Sequence, residues 1–325
     1  MSILKSTRLD NTSVLILFAS GSVFFNHVAG FDFFDEPLWK SPTLWRAYCK
    51  ALHPGLQRAP VVTRTSSNLS ESAYDAIPVF VSSFNNPSFL HSTLRFLHCY
   101  GANVTVFDNA SDDELHAAFL DRISHYVPVE RSPVNTGPRG FFTRRRVASL
   151  PKFFAYTDAD LRPHPDLPPD FLHVLARITQ AYPGSKAGFA LDVSNAPNFV
   201  AGTYHKGKSV ADWERAFWRH RLPDAAGLRD PLFKADIDTT FAVYDRDALL
   251  ASPSTNSNMC EAGYEGVRVG GSFAAAHVPW LCYFPRYVSG HEWKSYYMSR
   301  GTSGSTMAGL VRASGDRFGR DMCVG

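Results

Sequence analysis

The stretch that decides the fold is PKFFAYTDADL, residues 151–161. An apolar and aromatic run stops there at two aspartates one residue apart, which predicts a short buried strand that ends in a loop. Because the chain turns at the end of a strand, Asp158 and Asp160 can face the same point beyond the edge of the sheet. Their oxygens suit a divalent cation such as Mg²⁺ or Mn²⁺, which keeps coordination positions open for the phosphates of a nucleotide.

The Asp-x-Asp pattern is not specific by itself, since it recurs at residues 236–238 and 245–247. Only Asp158 and Asp160 follow a run that is apolar enough for a central strand, and the prolines within residues 162–165 prevent that strand from continuing. Two interpretations of this pair stay open, a metal site and a solvated turn.

Length and composition indicate a globular protein with an ample core. The chain has 325 residues, enough for one large α/β domain or two small ones, and 45% of them are hydrophobic. The formal net charge is only +3, and no stripe of Lys and Arg with interleaved aromatics is present. Nucleic acid is therefore not a predicted partner. The one basic run, at residues 144–146, is predicted to be solvated, with a phosphate contact as the alternative.

Five cysteines are scattered along the chain, at residues 49, 99, 260, 282 and 323. Their number is odd and no Cys-x-x-Cys spacing occurs, so neither a zinc site nor a disulfide framework is indicated. We expect buried thiols, with one disulfide left open for a chain that folds in a secretory lumen.

An apolar segment near the start, residues 14–25, follows Lys5 and Arg8 and resembles the charged flank and apolar core of a signal sequence or signal anchor. It is short for a membrane-spanning helix, which needs about 20 apolar residues. Membrane anchoring through this segment and simple packing on the domain are both open. Anchoring predicts a type II protein of the Golgi or ER lumen if the source is eukaryotic; otherwise we expect a cytoplasmic or membrane-associated protein.

Three regions are predicted along the chain. Residues 1–72 form a signal- or anchor-like segment and a stem, residues 73–299 form the folded domain, and residues 300–325 form a tail rich in Gly and Ser. Within the domain, strand and helix patterns alternate, which predicts an α/β fold with a mostly parallel sheet and flanking helices.

Polar residues follow three of the predicted strands, at Ser82–Asn85, Asp108–Asn109 and Asp158–Asp160. Parallel sheets bind ligands beyond the carboxyl ends of their strands, so we expect these three ends to meet in one crevice. A tight polar loop at residues 134–140 lies between the second and third ends, and its glycines allow the backbone to approach a ligand. An ordinary connection is the alternative for this loop.

Further candidate residues come later in the chain. Asp236 and Asp238 stand near the start of an apolar strand, where charges are costly unless they are used or solvated. His277 and His291 follow. A metal that holds two aspartates and a diphosphate has room for one further ligand, which makes these histidines candidates beside a structural role.

Taken in order, these pieces resemble a family-2-type glycosyltransferase with the GT-A fold, over residues 77–297. The matching pieces are the end of the first strand at 82–86, VFDNAS at 106–111, NTGP at 135–138, the DAD motif at 158–160, DTTF at 238–241 and HVPW at 277–280. The resemblance implies a Rossmann-like, mostly parallel central sheet flanked by helices. It also implies an enzyme that takes a sugar from a nucleotide-diphosphate donor.

The resemblance implies a metal site as well. Asp160 would bind Mn²⁺ or Mg²⁺ on the diphosphate, with Asp158 contributing directly or through water. His277 corresponds to the late histidine that completes the coordination in many such enzymes, and His291 is the second candidate.

The same resemblance implies a nucleotide site and a catalytic base. The implied nucleotide contacts are Ser82, Asp108, Asn135, Arg139 and Asp158. Asp238 stands where these enzymes place the carboxylate on the acceptor side, so it is assigned as the general base. The family often shows two adjacent acidic residues there, whereas this chain has Asp-Ile-Asp, which leaves Asp236 as an alternative.

The chemistry agrees with these residue types. Breaking the bond between a sugar and a diphosphate builds negative charge on the leaving group, which a bound cation stabilises. The acceptor, a glycan or another hydroxyl compound, must lose a proton, which a carboxylate can take. One base on the face opposite the leaving group gives direct displacement with inversion.

Three other functions stay open. A phosphatase of the haloacid-dehalogenase type also uses Asp-x-Asp after an apolar strand, but it would want Thr or Val where this chain has Arg162. A sugar nucleotidyltransferase usually opens with a basic, glycine-rich loop, unlike residues 82–86. A catalytically inactive sugar-binding module would keep the sheet and lose the carboxylates.

Overall fold

The computed structural model describes residues 49–50, 52–57, 77–182, 184–200, 206–223, 228–253, 258–260, 265–282, 288 and 292. All of them belong to the compact unit Arg46–Gly325. The predictions for the apolar segment at 14–25, for the tail at 300–325 and for His291 lie outside the described residues. Among the helices of the described ranges, none is both long and apolar enough to cross a membrane.

The strands of the described part are β1 (Val79–Ser83), β2 (Val104–Asp108), β3 (Val129–Arg131), β4 (Phe153–Asp158), β5 (Leu161–Pro163), β6 (Lys186–Phe189), β7 (Leu232–Asp236), β8 (Ala242–Asp245), β9 (Glu265–Val269) and β10 (Ala275–His277). Eight of them form one sheet in the order β3-β2-β1-β4-β8-β6-β9-β7, and β5 pairs with β10 in a second, small sheet. Four of the seven pairings in the large sheet are parallel, and the three others involve β8 or β7.

The helices are α1 (Pro87–Cys99), α2 (Glu114–Ile123), α3 (Arg144–Ser149), α4 (Phe171–Ala181), α5 (Val210–Glu214) and α6 (Arg246–Ala251). Short 3-10 helices form at Pro54–Gln57, Ala196–Asn198, Arg215–Trp218, Gly271–Phe273 and Val278–Trp280. The prediction of an α/β fold with a mostly parallel sheet and flanking helices is confirmed.

The central strand β4 shows why the sequence folds this way. Its first five residues are all buried, as expected for a strand covered on both faces, and only Asp158 at its end is partly exposed. On one face, the rings of Phe154 and Tyr156 pack in an aromatic cluster with Phe141 and Tyr244. This apolar cluster packs under the polar residues at the end of β4.

The cysteines differ from the expectation of buried thiols. Cys49 and Cys99 form a disulfide that joins the predicted stem to the end of α1, and Cys282 is disulfide-bonded too. The expectation is therefore wrong for these three residues and confirmed for Cys260, which is free and buried. A disulfide typically adds about 2–4 kcal/mol of stability.

Candidate active site

Two residues from distant parts of the chain meet just beyond the end of β4. Asp160 precedes β5, and β10 pairs with β5 so that His277 lies opposite Leu161. As a result, Nε2 of His277 lies 3.5 Å from Oδ2 of Asp160. The two side chains are 16% and 5% exposed, so a carboxylate and an imidazole face each other in a largely desolvated position.

The neighbouring Asp158 is held by the segment that leads into β8. Its N–H donates to the carbonyl of Thr239 at 2.9 Å, and the Thr239 hydroxyl donates to its carboxylate. The carbonyl of Ala159 accepts a hydrogen bond from Oγ1 of Thr93 in α1 at 2.6 Å. These bonds fix the main chain of the DAD motif from both sides and keep both carboxylates at the carboxyl edge of the sheet.

The donor chemistry of Asp160 and His277 fits a divalent cation, because carboxylate oxygen and imidazole nitrogen both ligate Mn²⁺ and related ions. Over the ranges that the structure describes, no group of three or more His, Cys, Asp and Glu residues has the arrangement of a metal site. Within those ranges, Asp160 and His277 are two side chains of ligand type that lie together at this position. Cations that work on nucleotides commonly take their remaining ligands from phosphates and water.

Asp238 lies in segment 237–241, which leads from β7 to β8. Its Oδ1 accepts a hydrogen bond from Nη2 of Arg139 at 2.7 Å, and both side chains are partly exposed. The next residue, Thr239, is the one that holds Asp158. Asp238, the predicted base, is thus paired with Arg139, a predicted nucleotide contact. The residue after Asp238 contacts the DAD motif.

A buried tyrosine, Tyr156, lies beneath these polar groups. The Tyr156 hydroxyl donates to the carbonyl of Pro138 at 2.7 Å. Burial, followed by the charge of Asp158, raises the pKa of Tyr156 well above its usual value, so the phenol keeps its proton. Ser82 lies beside Asp158 in the register of β1 and β4, as the sequence predicted for the two strand ends.

The alternative base, Asp236, lies at the other edge of the sheet. It ends β7 opposite Glu265, the first residue of β9. Strand β9 runs in the same direction as β4, because β8 is antiparallel to both β4 and β6 and β6 is parallel to β9. The structure therefore separates Asp236 from Asp158 and keeps Asp238 near it.

Asp108 is engaged within the protein. Its carboxylate accepts hydrogen bonds from the hydroxyl and the N–H of Ser111 at 2.5 and 3.2 Å, and it lies 3.5 Å from Nε2 of His116 with only 4% of its side chain exposed. Burial raises the pKa of Asp108, but the hydrogen bonds from His116 and Ser111 outweigh burial and lower that pKa below its usual value. Asp108 pairs with Ser83, so it lies on the face of the sheet opposite Ser82.

The loop at 134–140 is built around Asn109 at the end of β2. Oδ1 of Asn135 accepts from Nδ2 of Asn109 at 3.0 Å and from the N–H of Gly137 at 2.9 Å. Asn109 also donates to the carbonyl of Gly137 at 3.0 Å. Gly137 has φ +76, a conformation that glycine adopts without strain. The loop is therefore a shaped element that presents Arg139 to Asp238.

Sequence reasoning missed three residues of this site, namely Thr239, Tyr156 and Lys186. Lys186 begins β6, is 3% exposed, and donates from Nζ to the carbonyl of Ile237 at 2.5 Å. One signal could have directed attention to it: the lysine opens the apolar strand KAGF, and a buried lysine requires a partner.

The sequence and the fold were compared with those of known proteins. No protein-family model matches the sequence, and no curated protein matches it. Several solved structures are similar in fold. Among them, the mannosyltransferase PcManGT from Pyrobaculum calidifontis in complex with GDP-Man and Mn2+ aligns with 12% identity over 85% of this chain and 83% of that chain. The TM-score is 0.40, which is too low to assign a function.

Proposed function

We propose that this protein is a cation-dependent glycosyltransferase that transfers a sugar from a nucleotide-diphosphate donor to an acceptor hydroxyl with inversion. One observation carries the proposal: Asp160 and His277 meet 3.5 Å apart at the carboxyl edge of the sheet, next to Asp158. Sheets of this kind bind their ligands at that edge.

Asp160 and His277 would hold Mn²⁺ or Mg²⁺, and Asp158 would contribute through water, in keeping with its hydrogen bond from Thr239. When bound, the cation neutralises the negative charge that develops on the leaving diphosphate. The main chain of the motif is already fixed by Thr93, so the aspartates need little rearrangement to bind it.

Asp238 would act as the general base. Its side chain is 62% exposed, which allows an acceptor hydroxyl to reach it, and a carboxylate within hydrogen-bond distance can take the hydroxyl proton. Arg139 holds one oxygen of Asp238 and so limits the orientations of the carboxylate. The same guanidinium is also suited to a phosphate oxygen of the donor.

The nucleotide would lie along the ends of β1 and β2, bordered by Ser82 and by the loop from Asn135 to Arg139. Asp108 would act there indirectly, by holding the turn at residues 109–111, because its carboxylate is bonded to Ser111 and nearly buried.

Turnover tests this proposal. The full chain is incubated with a panel of nucleotide-sugars and Mn²⁺, and release of the nucleoside diphosphate is followed. We expect release that stops when the metal is chelated and that is lost in Asp160→Ala. The matched control is Asp247→Ala. Asp247 is the second aspartate of the Asp-x-Asp pattern at residues 245–247 and lies exposed in α6, so this variant should keep wild-type turnover.

Other outcomes would identify other functions. Release of phosphate from simple esters would indicate a phosphatase, and transfer of the nucleotide itself would indicate a nucleotidyltransferase. Sugar binding without turnover would indicate an inactive binding module. Metal-independent transfer would contradict the role given to Asp160 and His277.

A further inference from the structure

A buried lysine lies beneath the segment that carries Asp238. Lys186 is 3% exposed, and its Nζ donates to the carbonyl of Ile237 at 2.5 Å. The same Nζ lies 5.6 Å from the centre of the Tyr244 ring. Segment 237–241 leaves the sheet at the end of β7 and returns to it at β8, so this carbonyl belongs to a stretch outside the strand ladder.

The neighbouring strand leaves space for the lysine. Gly266 lies in β9, and a Cβ at this position would come within 3.0 Å of Cγ of Lys186 and 3.0 Å of Cδ1 of Ile237. A Cβ contact of 3.0 Å is tighter than most, and the backbone oxygen of Lys186 would lie closer still, at 2.9 Å, so alanine here would force these neighbours to shift. The glycine therefore accommodates both the lysine stem and the Ile237 side chain.

Charged groups surround the ammonium on several sides. Burial lowers the pKa of Lys186 to about 8, Asp238 and Asp236 oppose this decrease, and Arg139 and Arg268 add to it. A methionine would fill the same volume without the cost of burying a charge. The presence of a lysine therefore points to a use for its charge.

We propose that Lys186 is a positioning residue for Asp238. Its ammonium holds the main chain at Ile237. This contact positions the side chain of the next residue, Asp238, beside Arg139 and facing the acceptor. This inference rests on the proposed function, in which Asp238 takes the acceptor proton.

The position predicts a pH dependence with a defined sign. The ammonium form predominates below pH 8 and declines above it, because the pKa of Lys186 is about 8. A neutral amine is a weaker donor to the Ile237 carbonyl than an ammonium. We expect kcat to fall above this pH while KM for the donor changes little, since the donor would be held by Asp160 and His277.

Lys186→Met tests the proposal by kinetics. At pH 7 its kcat should fall by at least about tenfold, its KM for the donor should stay within about twofold, and the alkaline fall in kcat should disappear. Lys186→Gln keeps an N–H donor without the charge, and we expect an intermediate kcat and the same flat alkaline profile. The matched control is Lys152→Met, which removes an exposed lysine just before β4 and should keep the wild-type profile. Wild-type kcat and an unchanged alkaline fall in Lys186→Met would overturn the inference.

A second measurement does not depend on turnover. In protein labelled with ¹³C at the lysine Cε, one resonance should titrate near pH 8 and be absent from Lys186→Met. Its midpoint should move to lower pH in Asp238→Asn, because the carboxylate that favours the ammonium is removed. If no lysine titrates below about pH 9.5, or if Asp238→Asn leaves the midpoint unchanged, the inference is wrong. If the titration is as expected and wild-type protein releases no nucleoside diphosphate, the proposed function fails and the coupling of Lys186 to Asp238 stands.

Discussion

Arg139 and Asp238 form an ion pair, with 2.7 Å between Nη2 and Oδ1, that joins the loop after β3 to the segment before β8. Their side chains are 42% and 62% exposed. Exposed pairs of this kind contribute about 0–1 kcal/mol to stability, because water screens the charges and holding two long side chains costs entropy. The pair is therefore better explained by its place in the site than by its effect on folding.

Arg139→Ala should separate these two effects. We expect its free energy of unfolding to stay within about 1 kcal/mol of wild type, while kcat/KM falls by about tenfold or more because Asp238 loses its orienting partner. Urea unfolding and nucleoside diphosphate release measure the two quantities. The control is Lys234→Ala, which breaks a comparably exposed pair with Glu265 across β7 and the start of β9. A large loss of stability in Arg139→Ala alone would give the pair a structural role instead.

The meeting of Asp160 and His277 predicts the order of effects on metal binding. Asp160→Ala should abolish Mn²⁺ binding in the presence of a nucleoside diphosphate, because it removes the anionic ligand. His277→Ala should weaken binding by a smaller factor, because the imidazole is a neutral ligand and the carboxylate remains. Binding is measured by the loss of the free Mn²⁺ signal in electron paramagnetic resonance, with UDP and GDP tested in turn. Equal binding by both variants and wild type would place the cation elsewhere.

Sequence patterns predicted the positions of the candidate residues as far as these depend on strand ends. The DAD motif follows an apolar run, and such a run can be assigned to a buried strand without knowing its neighbours. Since parallel strands end at one edge, Ser82 and Asp158 could be expected to lie together, and the register of β1 and β4 places them side by side. His277 was a candidate because HVPW at residues 277–280 follows the other matching pieces in the order of the family. The pairing of β5 with β10 brings this histidine to Asp160.

The rest depends on contacts that no local pattern encodes. The sequence of residues 234–244 suggests one strand that begins near its two aspartates. In the structure the chain instead leaves the sheet at Ile237, whose side chain packs in the aromatic cluster. Asp236 therefore ends β7, whereas Asp238 lies outside the strand, although only one residue stands between them in the sequence. A lysine at the start of an apolar strand indicates a buried charge that needs a partner, but the sequence does not identify that partner, which is a carbonyl in this same segment.

A buried ion pair next to the site offers a contrast in stability. Arg268 in β9 bonds Glu214 in α5, with 5% and 2% of their side chains exposed, and it also donates to the carbonyl of Asp236 at 2.6 Å. Arg268→Met leaves a buried carboxylate without its cation, so we expect a loss of about 3–5 kcal/mol in urea unfolding. The double variant with Glu214→Leu should recover part of this loss.

The matched control for that pair also involves β9. Lys234 and Glu265 pair across β7 and β9 with more than half of each side chain exposed. Lys234→Met should therefore cost less than about 1 kcal/mol. If the two single variants cost the same, burial does not govern the energetics of these strands.

His53 predicts a loss of stability in acid. It is 9% exposed and packs against the rings of Phe96 and Tyr100, at centroid distances of 5.8 and 5.3 Å. Burial lowers the pKa of His53 to about 4, whereas the unfolded chain has the ordinary value of about 6.5. Between these two values the unfolded state binds the proton and the folded state does not, so stability falls as pH decreases through this window.

His53→Leu should remove that acid sensitivity. Urea unfolding at pH 7.5 and pH 5.0 should show that wild type loses roughly 2 kcal/mol more between the two conditions than the variant does, because only wild type must keep a buried imidazole neutral. Carboxylates titrate in the same range, but they are common to both proteins and cancel in the difference. His125→Leu, which replaces an exposed histidine after α2, should behave like wild type. An equal loss in wild type and His53→Leu would mean that the imidazole gains its proton without leaving its place between Phe96 and Tyr100, and the acid sensitivity would then have to come from other groups.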